Sequence, residues 1–140
     1  MTRFVLDCSV TMAWCFQDET SAIADAALAA LADNEAIVPD IWPLEVANVL
    51  VLAEKKGRIT AARVPRCVSM LQGLPISVDL HTREKAFTDI LSLARSHQIT
   101  AYDAAYLELA IREGVSLATL DEGLGRAARA AGVEVFRAGT

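Results

Sequence analysis

Four acids stand where a carboxylate is either costly to bury or well placed for a divalent ion. Asp7 follows the apolar run Phe4-Val5-Leu6, Glu45 lies within IWPLEVANVLVLA, Asp103 within TAYDAAYLELA, and Asp121 within VSLATLDEGL. Carboxylate oxygens without a His or Cys partner suit Mg²⁺ or Mn²⁺ rather than Zn²⁺. Gathered into one cleft, such a set holds one or two ions of the kind that activate water and stabilise a leaving oxygen in phosphodiester hydrolysis.

Each acid also has a plainer reading. Asp7 and Asp121 each precede a helical stretch and can cap it, because a carboxylate accepts the unpaired amide hydrogens of a first turn. Thr100 to Asp103 matches a capping box, in which the acid reaches back to the cap amide. Glu45 is harder to dismiss, since Pro43 already suits the first turn of its helix and Leu44, Val46, Val49, Leu50 and Val51 surround it. A buried carboxylate must be paired, protonated or coordinated. Asn48 lies three residues on, on the same helical face, as a hydrogen-bond partner or as an amide supporting a metal ligand.

The elements that must position these acids alternate. Short apolar runs at Arg3–Cys8, Ala36–Val38, Pro75–Leu80, Val115–Leu120 and Val133–Phe136 read as five strands. Between them, helical stripes run through Ser21–Ala32, Ile41–Lys56, Thr60–Leu71 with a kink or late start at Pro65, the Ala86, Phe87, Ile90, Leu91, Ala94 face, Tyr102 to Gly114, and the Leu124 to Ala131 stretch. Strands alternating with helices predict a parallel sheet covered on both faces, within one domain spanning 1–140. In such sheets ligands bind beyond the carboxyl ends of the strands, the edge on which Asp7 and Asp121 fall.

Composition narrows the rest. An apolar fraction of 54% exceeds the ~45–50% usual for soluble domains and points to surface reserved for a partner. The formal charge of −5 argues against a general nucleic-acid coat protein, although Lys55, Lys56, Arg58, Arg63 and Arg66 form an acid-free basic stretch that would admit RNA. Cys8, Cys15 and Cys67 are odd in number, without C-x-x-C spacing and in apolar contexts, which reads as three small buried hydrophobes in a reducing cytoplasm. Asp7 interrupts the first apolar stretch, and no uncharged run reaches the ~18 residues of a spanning helix, so neither a signal peptide nor a membrane segment is expected.

FVLDCSV, WPLEVANVL, ITAYDAAYLELA and LATLDEGL, in this order and spacing, resemble the PIN-domain ribonucleases, and within them the small bacterial toxins of the VapC type. The resemblance covers nearly the whole chain. It implies a three-layer α/β/α sandwich with parallel strand order 3-2-1-4-5 and a metal-dependent endoribonuclease acting on RNA through Mg²⁺ or Mn²⁺. Asp7, Glu45, Asp103 and Asp121 would form the acidic site, with Asp7 and Asp103 closest to metal, Glu45 next and Asp121 weaker or water-mediated. Ser9 and Thr119 would be polar neighbours and Asn48 a support. A homodimer and a cognate antitoxin, as in a type II toxin–antitoxin pair, would be the protein partners.

Rival classes lack residues. A haloacid-dehalogenase-like phosphatase needs a second acid where this chain has Ser9, and a receiver domain needs a strand-end Lys that neither VSLATL nor VEVF supplies. Zinc hydrolysis has only His81 and His97 to draw on, both in polar surroundings, and no Gly-x-Ser-x-Gly turn signals serine catalysis. A non-catalytic PIN-like module binding RNA or protein is the remaining alternative, and four intact acids argue against it.

Overall fold

The computed structural model describes residues 2–19 and 21–137. Strands β1 (Arg3–Leu6), β2 (Glu35–Pro39), β3 (Ile76–Asp79) and β4 (Ser116–Ala118) form one parallel sheet in the order β3-β2-β1-β4. The central strand β1 is apolar because both its faces are covered: Val5 and Leu6 are wholly buried, each contributing roughly 1.5–3 kcal/mol of burial. Helices α1 (Cys8–Cys15), α2 (Ala22–Ala30), α3 (Trp42–Lys55), α4 (Arg63–Gln72), α5 (Thr82–Lys85), α6 (Leu91–His97), α7 (Ala101–Glu113) and α8 (Glu122–Ala130) flank the sheet in an α/β/α sandwich. None is long and apolar enough to cross a membrane.

Four features differ from the sequence-based expectations. The fifth strand is reduced to a single parallel bridge between Val135 and Leu117, made by Leu117 N–H to the Glu134 carbonyl and Phe136 N–H to the Leu117 carbonyl. Its position beside β4 is the expected one, but β4 is only three residues long and offers little edge to pair with. The chain leaves α8 through Gly132 at φ 80°, which leaves few residues to align before the bridge.

Cys8 begins a helix instead of ending the first strand, and α1 occupies a stretch that carries no amphipathic stripe. A helix buried around most of its circumference has no polar face for periodicity to detect. The apolar positions from Ala86 to Ala94 are split by a π-helical turn, Ala86–Ile90, between α5 and α6. The wider turn rotates the face, so Ile90 and Ala94 are buried while Phe87 is 90% exposed.

All three cysteines are buried, as expected, but they are not alike: Cys15 and Cys67 form a disulfide with Cα atoms 5.7 Å apart, and Cys8 is free. The partners are 52 residues apart, at the end of α1 and within α4. Only the tertiary fold brings them together, and the cysteines therefore no longer support a reducing compartment.

The helix that carries Asp103 is anchored at its far end. Arg112 of α7 donates through Nη1 and Nη2 to both carboxylate oxygens of Asp79, at 3.1 and 2.8 Å, and through Nε and Nη2 to Glu108 at 2.8 and 3.0 Å. This fork fixes α7 to the end of β3, with both acids buried beneath it.

Candidate active site

Sheet register builds the centre of the site. Leu6 stands opposite Ala118 in the β1–β4 pairing, so the next residues, Asp7 and Thr119, emerge side by side at the carboxyl edge. Asp7 N–H continues the ladder to the Ala118 carbonyl at 3.0 Å. Asp7 occupies the cap position of α1, yet its side chain makes no capping bond. Instead Oδ2 accepts from Ser9 Oγ and Thr119 Oγ1, both at 2.7 Å.

Both hydroxyls are themselves held. Ser9 Oγ accepts from Leu120 N–H at 2.9 Å and Thr119 Oγ1 from Asp121 N–H at 3.0 Å. Each hydroxyl hydrogen is thus aimed at Asp7, and the Thr119–Asp121 turn is tied to the start of α1. A second tie comes from α3, where Trp42 Nε1 donates to Thr11 Oγ1 at 3.0 Å and Thr11 Oγ1 in turn donates to the Asp7 carbonyl at 3.3 Å.

Glu45 sits in the first turn of α3 and is half-buried. Its partner is the buried Tyr106 of α7, whose hydroxyl donates to Oε1; Asn48 is exposed one turn further along α3. Thr100 caps α7 by accepting from Asp103 N–H at 3.1 Å. Only that half of the capping box forms, and among the described residues the Asp103 carboxylate receives no hydrogen bond. Asp121 does cap α8, with Oδ1 accepting from Leu124 N–H at 3.0 Å.

The acids feel one another. Burial raises the pKa of Asp7 against the lowering effect of its hydroxyl donors, and Asp121 raises it further. Burial also raises Glu45, opposed by Tyr106 and assisted by Asp7. Asp103 is pushed up to about 6 by burial and then by the charges of Asp7, Asp121 and Glu45. The Cys8 thiol beside them is pushed up to about 12 by burial and by Glu45 and Asp7, which leaves it protonated and inert at neutral pH. The fold therefore gathers Asp7, Glu45, Asp103 and Asp121 around one region, with Ser9 and Thr119 beneath Asp7.

Among the described residues no three His, Cys, Asp or Glu side chains stand close enough together to hold a metal ion as they lie. Each of the four acids nevertheless keeps at least one oxygen without a side-chain hydrogen-bond donor among those residues: Asp7 Oδ1, Glu45 Oε2, Asp121 Oδ2 and both oxygens of Asp103, although the Cys8 amide also helps to lower the pKa of Asp7. Repulsion among these carboxylates is relieved when a proton or a cation neutralises one of them. All-oxygen donors fit a hard divalent ion that retains several waters.

The family model for the PIN domain matches residues 4–130. The chain belongs to the PIN domain family. Ribonuclease VapC3 of Pyrobaculum aerophilum is 29% identical over 122 residues, which are 87% of this chain and 92% of that protein. A crystal structure of a Pyrobaculum aerophilum protein superposes with a TM-score of 0.66 at 21% identity, covering 90% of this chain and 84% of that one. Mycobacterium tuberculosis VapC20, described as a toxin that cleaves the sarcin–ricin loop, superposes with a TM-score of 0.62 at 16% identity, covering 96% and 99%. At these identities the structures establish the shared PIN fold.

Tyr106 is buried, as its place on the Tyr102–Gly114 helix predicts, but the sequence reading found no partner for its hydroxyl. The signal was present: Tyr106 lies three residues after Asp103, on the same helical face. A buried tyrosine hydroxyl also needs a partner, and an acid on a neighbouring apolar helix is the obvious acceptor. The basic stretch is likewise divided by the fold. Arg58 lies 4.1 Å over the Phe16 ring and pairs with Asp18 and Glu19, whereas Arg63 and Arg66 line a small pocket with Trp14.

Proposed function

We propose that this PIN domain is a divalent-metal-dependent endoribonuclease that hydrolyses RNA phosphodiester bonds, and that it is the toxin of a type II toxin–antitoxin pair. The observation that carries this reading is the acid cluster itself: four carboxylates in one region, three with raised pKa values, each with an oxygen left open. The names of the relatives, a ribonuclease and an RNA-cleaving toxin, support the substrate class.

Asp7 and Asp103 would hold Mg²⁺ or Mn²⁺ most closely, with Glu45 next and Asp121 through a weaker or water-mediated contact. A bound ion would supply Lewis-acid charge to the scissile phosphate and ease deprotonation of the attacking water. Ser9 and Thr119 fix the Asp7 carboxylate by donating to one oxygen, so the other is presented in a defined direction. Tyr106 does the same for Glu45. Asn48, exposed one turn from Glu45, is a polar neighbour on the same helix. Asp121 divides its oxygens between the α8 cap and the site.

Protein partners follow from apolar surface. Leu44 of α3 is 76% exposed, and Val51 and Leu52 continue the exposure along the helix. Beside them a groove of about 340 Å³ runs between α3 and α4, lined by Trp42, Val46, Leu50, Leu71 and Ile76. Such surface suits a homodimer and an antitoxin segment.

The test is cleavage of RNA by the purified protein with Mg²⁺ or Mn²⁺, with EDTA, and with Asp7→Ala. Metal-supported endonucleolysis that EDTA and Asp7→Ala abolish is the expected result. Equal cleavage by Asp7→Ala and parent sinks the reading.

A further inference from the structure

A cleft of about 330 Å³ shares a wall with the acid cluster. Thr119 and Asp121 line it from the site, Ile23 from α2, and Glu122, Gly125, Arg126 and Arg129 from α8. Arg126 and Arg129 are three residues apart, on one face of the helix. Both are exposed, and among the described residues neither forms an ion pair. Arg3, Arg58 and Arg112 are each engaged by an acid, whereas Arg63, Arg66, Arg83 and Arg95 likewise form no ion pair among the described residues, so it is the place beside the acids that sets Arg126 and Arg129 apart.

Two glycines of α8 lie beneath these guanidinium groups. Gly123 and Gly125 lie inside the helix without positive φ, so neither is required by backbone conformation. Each disfavours the helix by about 1 kcal/mol relative to Ala. A Cβ on Gly123 would meet Asp121 Oδ1 at 3.2 Å and Arg126 Nη2 at 3.8 Å, and one on Gly125 would meet Arg129 Nη1 at 3.5 Å. Arg126 thus lies over Gly123, beside Asp121, and Arg129 over Gly125, each at ordinary contact distance from where a Cβ would stand.

A polyanion approaching four carboxylates on a chain of net charge −5 meets repulsion everywhere except where cations stand. Arginine is suited to that task, because its planar fork of donors matches phosphate oxygens. We propose that Arg126 and Arg129 form a backbone-phosphate subsite for the RNA strand, adjoining the acidic site through Thr119 and Asp121. The inference rests on the ribonuclease reading and adds to it the direction in which the strand leaves the acids. The arginines are positioning residues for substrate, and the chemistry remains with the carboxylates.

The test uses an RNA that the parent cleaves, with Mn²⁺ present, and compares parent, Arg126→Gln, Arg129→Gln and the double variant over a range of salt concentrations. The double variant is expected to raise KM about tenfold with kcat little changed. Its dependence of log(1/KM) on log salt should be flatter by about 0.7 for each phosphate of a single strand that the variant no longer neutralises. The Mn²⁺-induced rise in melting temperature should match the parent's, because the carboxylates are untouched. A parental KM and salt slope in the double variant overturns the subsite while leaving the ribonuclease reading intact. Unchanged RNA kinetics with weakened inhibition by a partner protein also overturns it, by assigning the cleft to that protein. If the parent cleaves no RNA, the ribonuclease reading fails and the subsite falls with it.

Discussion

The hydroxyl of Tyr106 reaches from α7 to α3 and donates to Glu45, joining two helices that each carry one of the acids. It occupies one oxygen of Glu45, opposes the rise in that carboxyl's pKa caused by burial, and leaves the second oxygen open. The contact therefore orients the acid without consuming it.

Replacing Tyr106 by Phe keeps the ring and removes the donor. Glu45 then loses a hydrogen bond in a half-buried setting, a loss of about 1–2 kcal/mol of stability. Its pKa should rise further, so the acidic limb of the pH–rate profile should move to higher pH. Thermal melts and kcat against pH check this; a profile and melting temperature equal to the parent's would mean that the contact orients nothing.

Asp103 gives stability a pH dependence whose sign is fixed. Its pKa is raised from an ordinary 3.8 to about 6, so between those values the folded state binds more protons than the unfolded chain. In EDTA, stability should fall as pH rises through that window and level off above about 6. The carboxyl is roughly half solvated, and screening reduces the penalty to about 1 kcal/mol. Asp103→Asn should flatten this dependence, melt no lower than the parent in EDTA near neutral pH, and gain less from Mn²⁺. A variant that melts well below the parent in EDTA and gains equally from Mn²⁺ would show Asp103 to be a helix-capping residue only.

Thiol counting separates the three cysteines. Native, unreduced protein should show no fast-reacting thiol, because Cys8 is buried and its thiol is held protonated. Denaturant alone should expose one thiol, and denaturant with reductant three. Cys67→Ser should lower the melting temperature, since a cross-link spanning 52 residues removes up to about 4 kcal/mol of unfolded-state entropy in the chain-entropy treatment. Three thiols without reductant would contradict the Cys15–Cys67 pairing.

Much of this architecture was legible in the sequence because it follows from local pattern. The uninterrupted apolar strands β1 and β2, the stop at Gly57 and the cap at Thr100 all rest on nearest neighbours, whereas α4 takes the late start, at Arg63 with Pro65 in its first turn, that the sequence left open against a kink. The acids could be named for the same reason, since each breaks an apolar context. What the sequence hid depends on distant partners. The Asn48 expected beside Glu45 is exposed, and Tyr106, 61 residues away, takes its place. Cys15 and Cys67 meet only once α1 and α4 have docked. The Ala86–Ile90 π-helical turn breaks the period on which a helical stripe depends, and the fifth strand fails for want of a long enough β4 to pair with.

We propose that Asp7, Glu45, Asp103 and Asp121 act together as one cation site, and Mn²⁺ binding measures this without reference to any RNA. Titration of the parent, followed by electron paramagnetic resonance of free Mn²⁺, should show saturable binding near neutral pH. Asp7→Asn keeps the shape of the side chain and removes its charge, and should bind at least about tenfold more weakly. Equal Mn²⁺ affinity in Asp7→Asn and parent, or no saturable binding in the parent, would contradict the claim.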